Sequence, residues 1–230
     1  SMRRVVFGGP GLDGFEPTPF TDQYVNALFV PDGAPYDVPF DVEEARSLDG
    51  DHKPRGRRYT VRRWDPDARQ LTLDFVVHGD VGYAGRWAQH AEPGDRLQVT
   101  GPSGGYAPRP DAPWHLMAGD ESALPAIAAS IESLPDDAVV VVFVVVDSAE
   151  DEIDLPAPSA TTIRWLHRST ARTPEDLLVD AIRSFAFPDG EPHVFVHGEA
   201  GETRAVRRHL LGERGIDKAS SSISPYWRRD

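Results

Sequence analysis

Residues whose type and spacing can do chemistry gather in four places. The first is Arg57-Arg58-Tyr59-Thr60. On an extended chain alternate residues share a face, so Arg57 and Tyr59 point the same way. A guanidinium can pair with a phosphate, bidentately where geometry allows, and an aromatic ring can cover a flat heterocycle. The same four residues also suit a surface strand carrying a half-buried tyrosine. The second place is Gly119-Asp120-Glu121-Ser122, between a predicted strand and a predicted helix. In an open α/β sheet that turn is where a dinucleotide phosphate docks. It is not a Gly-x-Gly-x-x-Gly loop, and Asp120 and Glu121 also suit plain helix N-caps. The third is Gly198-Glu199, after another predicted strand at the same sheet edge, where a residue without a side chain lets a ligand ring come close. The fourth is charge. Six of the 24 basic residues lie between Lys53 and Arg63, and Arg204, Arg207 and Arg208 form a further cluster. A cationic island on an acidic chain suits a local anionic ligand. A solvated strand edge or helix face accounts for the same residues.

These groups need elements to hold them. Leu71, Leu73, Phe75 and Val77 recur at period two, a strand signal. Arg58–Arg62 before them and the Asp65-Pro66-Asp67 turn complete a predicted hairpin. Arg96–Thr100 is a further short strand. Near 104–113 the texture changes, with Pro108, Pro110 and Pro113 marking a linker. Strands and helices then alternate. Trp114–Ala118, Val139–Val146, Thr161–Leu166 and His193–Val196 read as strands. Ala123–Leu134, a helix capped by Thr173 with Pro174 at its first position, and Gly201–Glu213 read as helices. Val139–Val146 is apolar throughout, as a strand buried on both faces must be. The expected fold is β followed by α/β: an N-terminal antiparallel β-barrel over residues 1–109, and a C-terminal open parallel-sheet nucleotide-binding domain over 110–230.

Composition removes several kinds of chemistry. The chain has 230 residues and no cysteine, which excludes disulfides, thiolate nucleophiles and cysteine-held clusters. Its formal charge is -13, which argues against a nucleic-acid partner. The longest apolar run, Ala138–Val146, is far short of the roughly 18 residues of a membrane span. The start shows no signal-peptide pattern, so a cytoplasmic monomer is expected. His90, His115 and His209 stand apart from any nucleophile or base, and structural or exposed positions are expected for them. No metal site is expected.

Arg57-Arg58-Tyr59-Thr60 resembles the Arg-x-Tyr-Ser/Thr flavin motif of ferredoxin-reductase-like enzymes. Further blocks, in order, resemble the siderophore-interacting proteins, which are NAD(P)H-dependent ferric-siderophore reductases. They are Asp74-Phe-Val-Val-His-Gly-Asp80 with Arg86-Trp-Ala88, Glu92-Pro-Gly-Asp95, Gly101-Pro102 with Gly104, Ala118-Gly-Asp-Glu-Ser-Ala-Leu-Pro-Ala-Ile127, and His197-Gly-Glu-Ala200 with Tyr226-Trp227-Arg228. The chain departs from the family at Tyr83, where proline is common, and at Ser103, where a basic residue usually follows Gly-Pro. Family members also commonly carry more chain before the position of Arg3.

The resemblance implies FAD and either NADPH or NADH as cofactors, and an anionic ferric siderophore as substrate. Arg57, Tyr59 and Thr60 would hold the flavin, with Thr60 bonding the nitrogen that accepts hydride. His78 and Gly79 would lie along the isoalloxazine and ribityl region. Arg86-Trp87-Ala88 would open a short helix whose amides face the pyrophosphate, although Trp87 also suits a core position. Gly119, Asp120, Glu121, Ser122, Gly198 and Glu199 would meet the nicotinamide dinucleotide. Lys53, Arg55, Arg204, Arg207 and Arg208 are the candidates for siderophore contact. Asp147 and Asp151 could bond a ribose hydroxyl, whereas Arg164, His167 and Arg168 could receive a 2′-phosphate. Tyr226 and Trp227 would close over the site or anchor the terminus. The rival readings are a reductase of free flavin, quinone or another ferric chelate, and a carrier that binds flavin or siderophore without catalysis.

Overall fold

A computed structural model describes residues 1–77 and 82–229. The chain divides into two compact units. Ser1–Pro19 with Gln23–Gly105 form the first, and Phe20–Asp22 with Tyr106–Asp230 the second.

The first unit contains β1 (Met2–Phe7), β2 (Tyr24–Phe29), α1 (Val42–Ser47), β3 (Arg55–Asp65), β4 (Gln70–Val76), α2 (Tyr83–His90) and β5 (Gln98–Ser103). Its five strands form an antiparallel sheet in the order β1-β4-β3-β2-β5. The period-two residues do what their spacing demands. Leu71, Leu73 and Phe75 of β4 join Val25, Ala27 and Phe29 of β2 in one apolar core, with Ala84 and Ala88 of α2 closing it. The long strand β3 changes partner midway. Arg55–Thr60 pair with β2, and from Val61 onward the pairing is with β4. Among the described residues, the other edge of Arg55–Thr60 therefore has no strand beside it. Unpaired backbone groups at such an edge are available to a ligand.

The second unit contains β6 (Trp114–Asp120), α3 (Leu124–Glu132), β7 (Val139–Val146), β8 (Ala160–His167), α4 (Leu177–Ser184), β9 (Pro192–Glu199), α5 (Ala200–Arg207) and β10 (Ser221–Trp227). All five strands are parallel, in the order β10-β9-β6-β7-β8. Strand order reverses between β6 and β9, which makes their carboxyl ends the crevice where open α/β sheets take ligands. β7 is buried over seven of its eight residues, because helices cover both faces of the sheet. One face packs Trp114, Leu116, Phe143 and Val196 against Leu178 and Ile182 of α4 and Val206 of α5.

Three local expectations are corrected. α2 starts at Tyr83, three residues before Arg86, because Gly82 at φ 81 turns the chain into it. Thr173 supplies no side-chain cap; Pro174–Asp176 form a single 3-10 turn leading into α4. The predicted last helix, 201–213, relaxes into a π turn over Arg208–Glu213. β10 was not expected.

Candidate functional site

In the first unit the basic segment of β3 is organised around Tyr83. The guanidinium carbons of Arg55 and Arg57 lie 5.4 and 4.8 Å from the Tyr83 ring centroid, cation–π distances. The Tyr83 hydroxyl donates to the Gly56 carbonyl at 3.3 Å, and Arg57 Nη1 donates to the same oxygen at 2.9 Å. Tyr83, the residue that departs from the family pattern, thus aligns the two arginines. Tyr59 turns inward, its ring 4.3 Å from that of Phe75. Burial pushes its phenol up to about 12, against the opposing charge of Arg57, so it stays protonated and neutral. Thr60 is buried at the point where β3 changes partner.

The start of α2 alters the assignments beside it. The amides without helical acceptors are those of the first turn, residues 82–85, whereas those of Arg86, Trp87 and Ala88 fall within the helical ladder. The expected anion-facing amides therefore shift from 86–88 to 82–85. Trp87 packs against Phe7, Phe29 and Phe75 at 6.1, 5.9 and 5.9 Å, and Ala88 is fully buried. Of these three side chains only Arg86 is exposed, 3.6 Å from Asp32. A cavity of about 1210 Å³ opens here, lined by Arg55, Tyr83, Arg86, Trp87, His90 and Arg96 among others. Guanidinium donors, the free amides of a helix start and aromatic faces beside one large cavity suit a flavin dinucleotide. Lys53 is exposed. His78 and Gly79 lie outside the described residues.

In the second unit the crevice between β6 and β9 is built from close approaches. A Cβ on Gly119 would lie 2.2 Å from the His197 carbonyl oxygen and 2.6 Å from the Ala123 Cβ. Gly198, at φ 145, leaves the space that the Asp120 carboxylate fills, since a Cβ there would meet Asp120 Oδ2 at 2.7 Å. Asp120 is 1% exposed. Its Oδ2 accepts from the Glu199 amide at 2.9 Å and from Trp227 Nε1 at 2.7 Å, and its Oδ1 accepts from the Ser122 amide and hydroxyl. One carboxylate thereby ties together the carboxyl ends of β6, β9 and β10. Trp227 is an anchor of the terminal strand.

Glu199 caps α5, accepting from the amides of Gly201 and Glu202. Burial works against its charge, but these bonds and the Arg229 amide hold its carboxyl below the usual range. Glu202, 3% exposed, is pushed up to about 7 by burial and by the charge of Asp120. His197 is lowered to about 4 by burial, and its ring lies 4.6 Å from Tyr226.

Glu121 is buried and takes both terminal nitrogens of Arg168, at 2.6 and 2.8 Å, while Arg168 Nη1 also reaches Asp147 at 2.9 Å. Arg204 and Arg207 of α5 and Arg208, the first residue of the π turn after it, are exposed, and Arg207 donates to the Ile223 carbonyl at 3.2 Å. The three share a helix face by their spacing. His115 and His209 are buried and His90 is exposed. No cluster of metal-ligating residues occurs among the described residues.

Two family models cover nearly the whole chain. The siderophore-interacting FAD-binding domain matches residues 1–106, and the siderophore-interacting protein model matches 112–230. The chain belongs to the siderophore-interacting protein family. Its matched FAD-binding domain makes FAD its cofactor. Ferric vibriobactin reductase ViuB of Vibrio cholerae is 35% identical over 232 residues, covering 100% of this chain and 84% of the relative. The NADPH-dependent ferric-chelate reductase of Escherichia coli K12 is 30% identical over 231 residues, covering 98% and 87%. The crystal structure of a siderophore utilization protein from T. fusca superposes with a TM-score of 0.83 at 40% identity, covering 99% of this chain and 87% of that one. The β-then-α/β architecture expected of a ferredoxin-reductase-like fold is the one found.

Proposed function

We propose that this siderophore-interacting protein reduces the Fe(III) of a ferric siderophore with electrons taken from NADH or NADPH, so that the metal leaves as Fe(II). The observation that carries the reading is the half-paired strand Arg55–Thr60 beside the 1210 Å³ cavity, in a chain whose relatives are named a ferric vibriobactin reductase and an NADPH-dependent ferric-chelate reductase. Residues 1–109 would serve as the flavin half and 110–230 as the nicotinamide half. Bound FAD supplies the chemistry that side chains lack, accepting hydride and handing on single electrons. Arg57 would pair with its pyrophosphate together with the first-turn amides of α2. Tyr59, neutral across the physiological range, would offer an apolar ring wall to the flavin. Thr60 would present its hydroxyl or amide to the hydride-accepting nitrogen.

Asp120, Gly119 and Gly198 would keep the β6–β9 crevice open to the nicotinamide end of the reductant. Lys53, Arg55, Arg204, Arg207 and Arg208 would draw in the anionic chelate. Iron release follows from charge, because hard oxygen ligands hold Fe(II) more weakly than Fe(III). No helix among the described residues is long and apolar enough to cross a membrane. The reductant is an intracellular supply, so a cytoplasmic site of action is proposed. The test is anaerobic: NADH or NADPH should bleach the flavin of the purified protein, and a ferric siderophore should restore its colour while Fe(II) appears in a chelator trap. Restoration by quinone or free flavin but not by any ferric chelate would instead support the reductase of another acceptor.

A further inference from the structure

At the carboxyl ends of β6, β7 and β8 two carboxylates and one guanidinium form a single ion-paired cluster. NADPH differs from NADH by a phosphate on the adenosine ribose, so a site that takes NADPH must offer that phosphate a cation. Three basic residues stand at or near the end of β8, and each is already committed. Arg164 lies over the Phe185 ring at 4.7 Å. His167 Nε2 is 2.7 Å from Glu152. Arg168 is held by both oxygens of Glu121 and by Asp147, and its side chain is only 17% exposed. Two carboxylates thus surround one guanidinium, and Glu150 adds a further exposed negative charge beyond β7. Asp147 differs from Glu121 in being open: its side chain is 56% exposed, against 6%. It follows directly on β7, the second strand of the β6-α3-β7 unit. In dinucleotide folds an acidic residue there accepts the ribose 2′-hydroxyl.

We propose that this corner is the adenosine-ribose subsite of an NADH-selective site. Asp147 accepts the 2′-hydroxyl, and the Glu121–Arg168–Asp147 clamp withholds that guanidinium from a 2′-phosphate. The proposal rests on the reading that the second unit binds a nicotinamide dinucleotide, and it narrows that reading to one reductant. Arg168 is then a positioning residue: it fixes Asp147 through charge-assisted hydrogen bonds and is itself unavailable to ligand. Arg172, exposed in the segment after β8 and four residues beyond Arg168, serves as the control.

The test combines calorimetric titration of the full chain with 5′-AMP and 2′,5′-ADP, which needs no turnover, and flavin reduction by NADH and NADPH. In the natural protein the 2′-phosphorylated fragment should bind about tenfold or more weakly, as like charges in contact dictate, and NADH should give the larger kcat/KM by a similar factor. Asp147→Ser should weaken 5′-AMP and strengthen 2′,5′-ADP, closing most of the gap, because Arg168 loses one of its two anions. Asp147 is half open to solvent, so this variant keeps the Glu121–Arg168 pair. Arg172→Ala should leave the ratio unchanged. Equal or tighter binding of 2′,5′-ADP by the natural protein overturns the proposal, and so does a selective loss of NADPH use in Arg172→Ala. Flavin bleached faster by NADPH than by NADH would refute the selectivity and leave the proposed function standing. Bleaching by neither would refute both.

Discussion

Gly119→Ala tests whether the β6–β9 crevice is set by backbone contact. The added Cβ would sit 2.2 Å from the His197 carbonyl oxygen and 2.6 Å from the Ala123 Cβ. The first distance is more than an ångström inside van der Waals contact, and the clashing atom is backbone. Gly119 pairs with His197 in register, so relief requires the two central strands to separate. Overpacking of this kind costs about 1–3 kcal/mol, and the upper end applies where no flexible side chain can yield. At about 3 kcal/mol the melting temperature of a chain this size should fall by about 6–12 °C. Gly212→Ala is the matched control. Nothing lies within 4 Å of its Cβ position and its φ is ordinary, so the substitution should be neutral or raise the melting temperature by about 1–3 °C. Scanning calorimetry of the three proteins decides the matter. A Gly119→Ala variant melting within about 2 °C of the natural protein would refute the close-approach argument, and with it the reason given for glycine at this turn.

Three further outcomes follow from single contacts. Burial holds the Glu202 carboxyl up at about 7, well above the usual carboxylate range near 4.5. Its contribution to stability is therefore full below about pH 4.5 and is lost as pH rises through 7, a change of about 3 kcal/mol. Glu202→Gln should flatten that part of the profile in urea unfolding from about pH 5 to pH 8, and an unchanged slope would contradict the assignment. Trp227→Phe removes one donor from Asp120; with the indole partly exposed, the loss should be about 1–2 kcal/mol, or about 3–6 °C in melting temperature. Arg57→Ala should weaken FAD binding by about 10–100-fold in a fluorescence titration, and unchanged affinity would remove Arg57 from the phosphate site.

The elements whose patterns repeat were legible without coordinates. Val139–Val146 reads as a strand buried on both faces, and the alternation at Leu71, Leu73 and Phe75 as one wall of a core. β10 was not legible, because Ser221-Ser-Ile-Ser-Pro225 lacks alternation and carries a proline, which only an edge position tolerates. In the site, the types of residue were readable and their partners were not. Asp120 reads as a helix cap until Glu199 and Trp227, 79 and 107 positions away, arrive at the same oxygen. Arg168 reads as a phosphate receptor until Glu121, 47 positions back, takes both its nitrogens. Such pairings depend on strand order, which local periodicity does not encode. Tyr83 is the converse: a departure from the family pattern whose role emerged from two arginines on another strand.

The central claim is electron transfer from a nicotinamide to chelated iron through bound flavin. Its most direct test is a single anaerobic titration, in which NADH is added to the FAD-loaded protein and a ferric siderophore follows, with Fe(II) trapped by a colorimetric chelator. The account predicts loss and full recovery of the flavin band, with about two Fe(II) trapped for each NADH oxidised. A flavin that bleaches and then stays bleached in the presence of every ferric siderophore offered would contradict it.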